Sequence, residues 1–242
     1  MENREDIIND ILGNLTVDEY VPVEVPSKNK GYKFKEGQDG ISLRPMTFED
    51  EKILANSKKM GKDPLNTLLQ RCISDNVDVE GLYLFDKLYL IMKLRQISYG
   101  EEYKSLVICQ KCSAESEISI AIDQIPVDFV DDDFEDPIEL TLPKIGKQVK
   151  IRVPRVSDEP NLSNLDNLSK YLWKFVLEIN GVSDKTIISE VIKKLPLVDT
   201  KTIINALNVE KGIKTKFHYE CDACGGGSVI DLPIDENFFN VN

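Results

Sequence analysis

The sequence predicts an α+β fold in which short β-hairpins are carried on helical bundles. Three observations predict it. Helical periods recur in groups of three, over 47–98 and again over 165–208. Alternating apolar and polar runs flank short turns near 106–122, 138–153 and 216–232. Two of those turns are Cys-x-x-Cys motifs, Cys109/Cys112 and Cys221/Cys224, separated by more than a hundred residues. If the four sulfurs converge, they staple two distant parts of the chain into one split, zinc-ribbon-like site.

Taken in order, the chain divides into an extended arm over 1–40, an α+β half over 41–130 and a second half over 131–242. The arm has Pro22 and Pro26 in a Val-rich stretch and a Lys-, Gly- and Asn-rich run over 27–40, a composition that orders only against something else. Ile7, Ile8, Ile11, Leu12 and Leu15 have helical spacing and suit an anchor. Ile41–Leu43 is a strand that ends at Arg44-Pro45. Thr47-x-x-Asp50 opens a helix running to about Met60 and closed by Gly61. Asp63-Pro64 opens the next, with Leu65, Leu68, Leu69 and Cys72 on one face. A third helix, from about Glu80 to Ser98 with Gly100 as its cap, is apolar on nearly every side and reads as the central core helix. The first CxxC hairpin follows, then the acidic run 131–136, which reads as a solvated loop or, more sharply, as a patch for a basic partner.

In the second half, 138–142 and 149–153 form a hairpin around Gly146. Helices are expected at about 165–180 (capped by Gly181), 183–195 and 199–208, with Trp173 and Phe175 in the core. The second CxxC hairpin ends the chain. This order repeats that of 41–122, with 64 positions from Pro45 to Cys109 and 67 from Pro154 to Cys221. Either the chain is internally duplicated, which sets the cysteine pairs face to face about a pseudo-two-fold axis, or two unrelated layouts share an order.

Net charge is −12, which argues against a free-standing binder of phosphate backbones. The densest apolar stretch, 82–94, is interrupted by Asp86, Lys87 and Lys93 and does not reach membrane-spanning length. Met1–Asp6 has neither a basic start nor an apolar core, so no secretory signal is expected and the host of these cysteines is a reducing cytoplasm. There, CxxC pairs bind metal or do redox chemistry.

Closed zinc sites need deprotonated sulfurs in a tetrahedron, and a CxxC turn supplies two of them. Gly225 after the second pair can adopt a left-handed conformation, whereas Ser113 stands at that place in the first, a less ideal turn. Structural Zn²⁺ on Cys109, Cys112, Cys221 and Cys224 is the expectation; iron in the same cage, or two pairs that never meet, are the alternatives. A thioredoxin-like role requires the motif at a helix N-terminus, and both motifs lie between strands. Cys72 reads as a buried small hydrophobe. His218, the chain's one histidine, alternates with Phe217 and Tyr219 and reads as a strand residue rather than a ligand. Gly225–Gly227 lacks the Lys-Ser/Thr of a phosphate loop, and no deaminase, hydrolase-elbow or metalloprotease motif occurs. Four cysteine ligands leave the metal no open position for water, so no catalytic residue is assigned and no enzyme is expected.

Four stretches resemble a known family. They are Arg44–Leu54, Leu84–Glu102, the strand carrying Cys109 and Cys112, and Leu140-Thr141-Leu142-Pro143 with Gly146-Lys147. Together they resemble the baseplate protein family of T-even-type contractile-tail bacteriophages, whose members include a baseplate hub component, mainly over 41–155. The resemblance implies a non-enzymatic assembly protein whose partners are other phage baseplate and tail proteins, located in the host cytoplasm during assembly and then in the virion. The alternative from another class is a zinc-ribbon regulatory module acting on nucleic acid or transcription machinery, for which the chain offers no basic stripe. A metal-dependent hydrolase ranks behind both.

Overall fold

Leu90, Ile91, Met92 and Leu94 leave their helix no polar side, and in the computed structural model that helix runs through the middle of the larger core. The structure describes residues 4, 8, 10, 11, 19–34, 36, 39–55, 63–74 and 77–239. Of the apolar set over 7–15, only Ile8 and Ile11 are among them, and both are exposed.

Strand β1 (Val21–Val23) pairs antiparallel with β2 (Ile41–Leu43). Helix α1 (Phe48–Ala55) follows; its expected end at Met60–Gly61 lies outside the described residues. Helix α2 (Pro64–Cys72) starts as its sequence dictates: Asp63 Oδ1 accepts from the Leu65 and Asn66 amides, and Leu65, Leu68, Leu69 and Cys72 are buried. Helix α3 (Leu84–Tyr99) begins four residues later than its period suggests, because Val79–Gly81 makes a separate 3₁₀ turn capped by Asp78. It ends at Gly100 (φ 95°), whose N–H bonds Gln96 O at 3.0 Å. Next come β3 (Glu102–Ile108), β4 (Glu115–Ala121) and the short β5 (Val127–Asp128).

A second, smaller core lies under β6 (Ile138–Thr141), β7 (Gln148–Ile151) and β8 (Val176–Ile179), an antiparallel sheet in that order. Here the expectation of one helix over 165–180 is corrected. A four-residue turn of helix, α4 (Glu159–Leu162), leads to α5 (Leu165–Tyr171); a 3₁₀ turn at Leu172–Lys174 then hands over to β8. Val176 and Ile179 are buried by pairing with β7, a tertiary contact that overrides helical spacing. Asn180 (φ 49°) and Gly181 (φ 85°) form a turn after a strand, not a helix cap. Phe175 is fully buried and Trp173 packs against the same core. Helices α6 (Lys185–Lys194) and α7 (Leu197–Leu207) cover the sheet with Ile188, Ile192, Ile203 and Leu207.

Strand β9 (Gly212–Ile213) then pairs with β5, returning the chain to the first core, and β10 (Lys216–Glu220) and β11 (Gly227–Asp231) form the last hairpin. Leu232, Phe238 and Phe239 are buried among first-core residues, and Arg95 Nε bonds Phe238 O at 2.9 Å. Sequence order and packing therefore diverge. The last hairpin belongs to the second half in sequence and packs with the first.

The stretch over 21–34 also lies against the body. Val25 is fully buried, the Ser27 amide and Tyr32 hydroxyl both bond the buried Asp86 carboxylate (2.9 and 2.5 Å), and Gly31 approaches Tyr83 so closely that a Cβ would lie 2.2 Å from its hydroxyl. The acidic run is solvated over Asp131–Asp133 and Glu135, as its composition suggests, and it is also tied to the chain: Lys211 pairs with Asp131, Lys28 with Asp132, and Arg155 with the largely covered Asp136. Asp136 also takes the Tyr83 hydroxyl at 2.9 Å, so this loop is a joint between the two cores.

Candidate metal centre

The two CxxC turns are built by the same hydrogen bonds. In the first hairpin Cys109 N bonds Ala114 O (2.9 Å) and Ile122 N bonds Glu101 O (2.8 Å). In the second, Cys221 N bonds Gly226 O (3.1 Å) and Leu232 N bonds Thr215 O (2.8 Å). These contacts fix the phase of both ladders: odd-numbered β3 and β10 residues form the hydrogen-bonded pairs. Alternation then places Tyr103, Ser105 and Val107 on one face of the first hairpin, and Phe217 and Tyr219 on one face of the second. These are the more buried faces, and a cavity of about 290 Å³ between the hairpins is lined by Ile118, Ile120, Phe217, Tyr219 and Ile230.

Each turn closes with a second bond, Ser113 N to Cys109 O (2.9 Å) and Gly225 N to Cys221 O (2.8 Å), and with a left-handed residue at the same place, Ser113 (φ 60°) and Gly225 (φ 63°). The first turn thus has the geometry of the second despite its serine. Gly226 is constrained by space: a Cβ there would lie 2.6 Å from Lys111 Cδ and 3.1 Å from Cys224 Sγ.

The hairpins bring all four sulfurs within 4.8 Å of one another. Cys109 Sγ lies 3.8 Å from Cys224 Sγ, and Cys112 Sγ lies 3.7 Å from Cys221 Sγ. A tetrahedron with metal–sulfur bonds of about 2.3 Å has edges of about 3.8 Å, so these spacings suit one ion. Cys109 and Cys221 are buried and Cys112 and Cys224 exposed. The donor chemistry agrees. Amides of Cys112 and Lys111 aimed at the Cys109 sulfur bring its thiol down to about 6, and amides of Ala223 and Cys224 lower Cys221. At Cys112 the Ala114 amide favours the thiolate but is outweighed by hydrogen bonding to Cys224, by burial and by the other sulfurs, which push it up to about 12. Four sulfurs this close resist ionising together until a cation neutralises them.

Among the described residues, no other His, Cys, Asp or Glu group is arranged to hold a metal. His218 is exposed and opposite Val229 on the second hairpin. Cys72 is buried under α2, where burial pushes its thiol up to about 12. A cavity of about 890 Å³ lies between α2 and the 156–160 turn, and two carboxylates of its lining, Glu159 and Asp63, are held by the buried Lys87 at 2.8 and 3.2 Å. Those groups tie the two cores together. Among the described residues, no helix is long and apolar enough to cross a membrane.

Two carboxylates escape the sequence reading, which takes Asp50 only as part of a helix start and does not single out Asp158. Asp50 takes Arg44 (2.7 Å), Arg71 (2.8 Å) and the Thr47 amide (2.9 Å). Asp158 takes Arg152 (2.6 Å) and the Arg155 amide (2.9 Å). The spacing Arg-x₅-Asp after a strand occurs in both halves and was the signal available.

A profile of the family described as T4 bacteriophage base plate protein matches residues 3–240, well beyond the 41–155 that carry the resemblance. No curated protein and no solved structure matches the chain. With nearly its whole length matched, the chain belongs to the T4 bacteriophage base plate protein family.

Proposed function

We propose that the chain is a structural and assembly component of a contractile phage tail baseplate, in its hub, held in shape by one non-catalytic Zn²⁺ on Cys109, Cys112, Cys221 and Cys224. The family match over residues 3–240 carries the functional part. The convergence of the four sulfurs within 4.8 Å supports the metal. With four thiolates as ligands the ion has no open position, and its work is to tie the last hairpin to the first core. Its partners are other baseplate and tail proteins, met in the host cytoplasm during assembly and retained in the virion tail. Against a nucleic-acid module stand Glu102, Glu115, Glu117 and Glu220 on the exposed faces of the hairpins, which repel phosphate.

The amino-terminal arm is the assembly element in this account, with residues 7–15 as its anchor. Because Val25, Ser27 and Tyr32 are fixed on the body, a truncation that separates the two roles must stop before residue 19. Removing residues 2–18 should leave a folded, zinc-loaded protein that no longer enters baseplates. The tagged full chain, recovered from infected cells at moderate salt, should bring tail proteins that survive nuclease treatment. Recovery of salt-labile nucleic acid in their place would favour the regulatory module. Normal baseplate entry of the truncated chain would remove the arm from the account.

A further inference from the structure

The ladder phase that sets the metal site also determines which backbone groups the first hairpin leaves open. In β3 the amides and carbonyls of residues 103, 105 and 107 point to β4; those of Lys104, Leu106 and Ile108 point away from it. The sheet has two strands, so that outer edge has no strand beside it among the described residues. Glu102 O is taken by Arg95 Nη1 at 3.0 Å, which closes the edge at its start and leaves Lys104–Ile108 as the open part. The same residues present their side chains on the exposed face, where Leu106 is 65% and Ile108 62% exposed. Open edges are normally blunted by charge, proline or cover, and here two large apolar side chains sit on one. The outer edge of β4 differs, since Ile118–Ala121 line the cleft against the second hairpin.

We propose that the β3 edge, over Lys104–Ile108, receives an extended strand of a partner protein by β-augmentation. The charges around it select the occupant. Directly across from Leu106 and Ile108 stand Glu117 and Glu115, both exposed; among the described residues the one ion pair they make is a long one, Lys104 to Glu117 at 3.9 Å. A second copy of this chain would bring the same carboxylates and a net charge of −12. The partner strand therefore carries alternating apolar residues to cover Leu106 and Ile108 and Lys or Arg on its flank to meet Glu115 and Glu117. The identification of that partner as a tail protein rests on the baseplate function proposed above.

Residue-resolved hydrogen exchange, on the free chain and on the chain within tail assemblies purified from infected cells, tests it. The amides of Lys104, Leu106 and Ile108 should slow at least tenfold on assembly, while that of Val107, already bonded to β4, reports that the hairpin is folded in both samples. Leu106→Pro removes an outward amide without breaking a β4 bond and suits an edge strand. It should lower incorporation at least tenfold with metal content and Val107 protection unchanged, and Leu106→Ala should lower it less. If the chain is present in the assemblies and the three amides exchange as in the free protein, the edge is not the docking strand and the baseplate function stands. Wild-type incorporation of Leu106→Pro would overturn the proposal equally. Absence of the chain from every tail assembly would overturn both.

Discussion

The two halves of this molecule use the same two devices with different residues, and the differences separate what the fold needs from what it tolerates. Each half places an arginine at a strand end and an aspartate six residues on, and each closes a CxxC turn with a left-handed residue after the second cysteine. In the first half the aspartate takes two arginines and the turn uses a serine; in the second it takes one and the turn uses glycine. Hydrogen-bond pattern is what recurs, while residue identity drifts.

The largest expected break of the comparison is at the metal. Replacing Cys221 by Ser should loosen both hairpins together and cost several kcal/mol, since a closed site's binding energy is folding energy. Exchange limited to β10–β11 would mean that the pairs do not share an ion.

The arginine-bound aspartates come next. Burial opposes the charge of Asp50, but Arg44, the Thr47 amide and Arg71 outweigh it and hold the carboxyl well below the usual range; Asp158 is lowered against burial by Arg152 and the Arg155 amide. Asp50→Asn should cost about 3–5 kcal/mol, because it strands two cations, one of them nearly buried. Asp158→Asn should cost less, about 2–3 kcal/mol, with one partner left behind. For both carboxylates the folded pKa lies below the unfolded one. Their stabilisation is therefore complete above about pH 4–5 and is lost as pH falls through the folded value. Denaturant titrations between neutral and acid pH should show a shallower acid loss in Asp50→Asn than in wild type. An unchanged acid slope would contradict the assignment.

Gly226→Ala should follow, by crowding Cys224 Sγ, with weaker metal retention against a chelator than wild type. The smallest effect is of opposite sign. Ser113→Gly should stabilise the first turn by about 1 kcal/mol, because serine occupies the left-handed region at a cost that glycine avoids. A destabilised Ser113→Gly variant would show that the serine side chain earns its place by a contact.

Much of this was legible in the sequence, for physical reasons that can be named. Asp63-Pro64, the apolar run Leu90–Met92 with Leu94, and Gly100 act locally, so their caps and core role follow from adjacent residues. The cysteine set was legible because CxxC between alternating runs admits few other uses. Strand β8 was not, since Val176 and Ile179 stand three apart, a helical spacing, and a register shift against Lys150 and Ile151 of β7 is what lets both be buried in a strand. The fixing of 21–34 was hidden for a similar reason. Its anchor is Asp86, one of several charges on a mostly apolar helix, and nothing local marks that carboxylate as the acceptor for Ser27 and Tyr32. Burial raises the Asp86 carboxyl, opposed by those same bonds, a cost visible only once the segment is in place.

The proposed ion would join the two halves through four sulfurs. X-ray absorption at the zinc edge, together with elemental analysis of the purified full chain, tests it most directly. One zinc per chain is expected, with four sulfur neighbours at about 2.3 Å and no oxygen or nitrogen in the shell. A folded protein with metal content near zero, or a shell with fewer than four sulfurs, would contradict it.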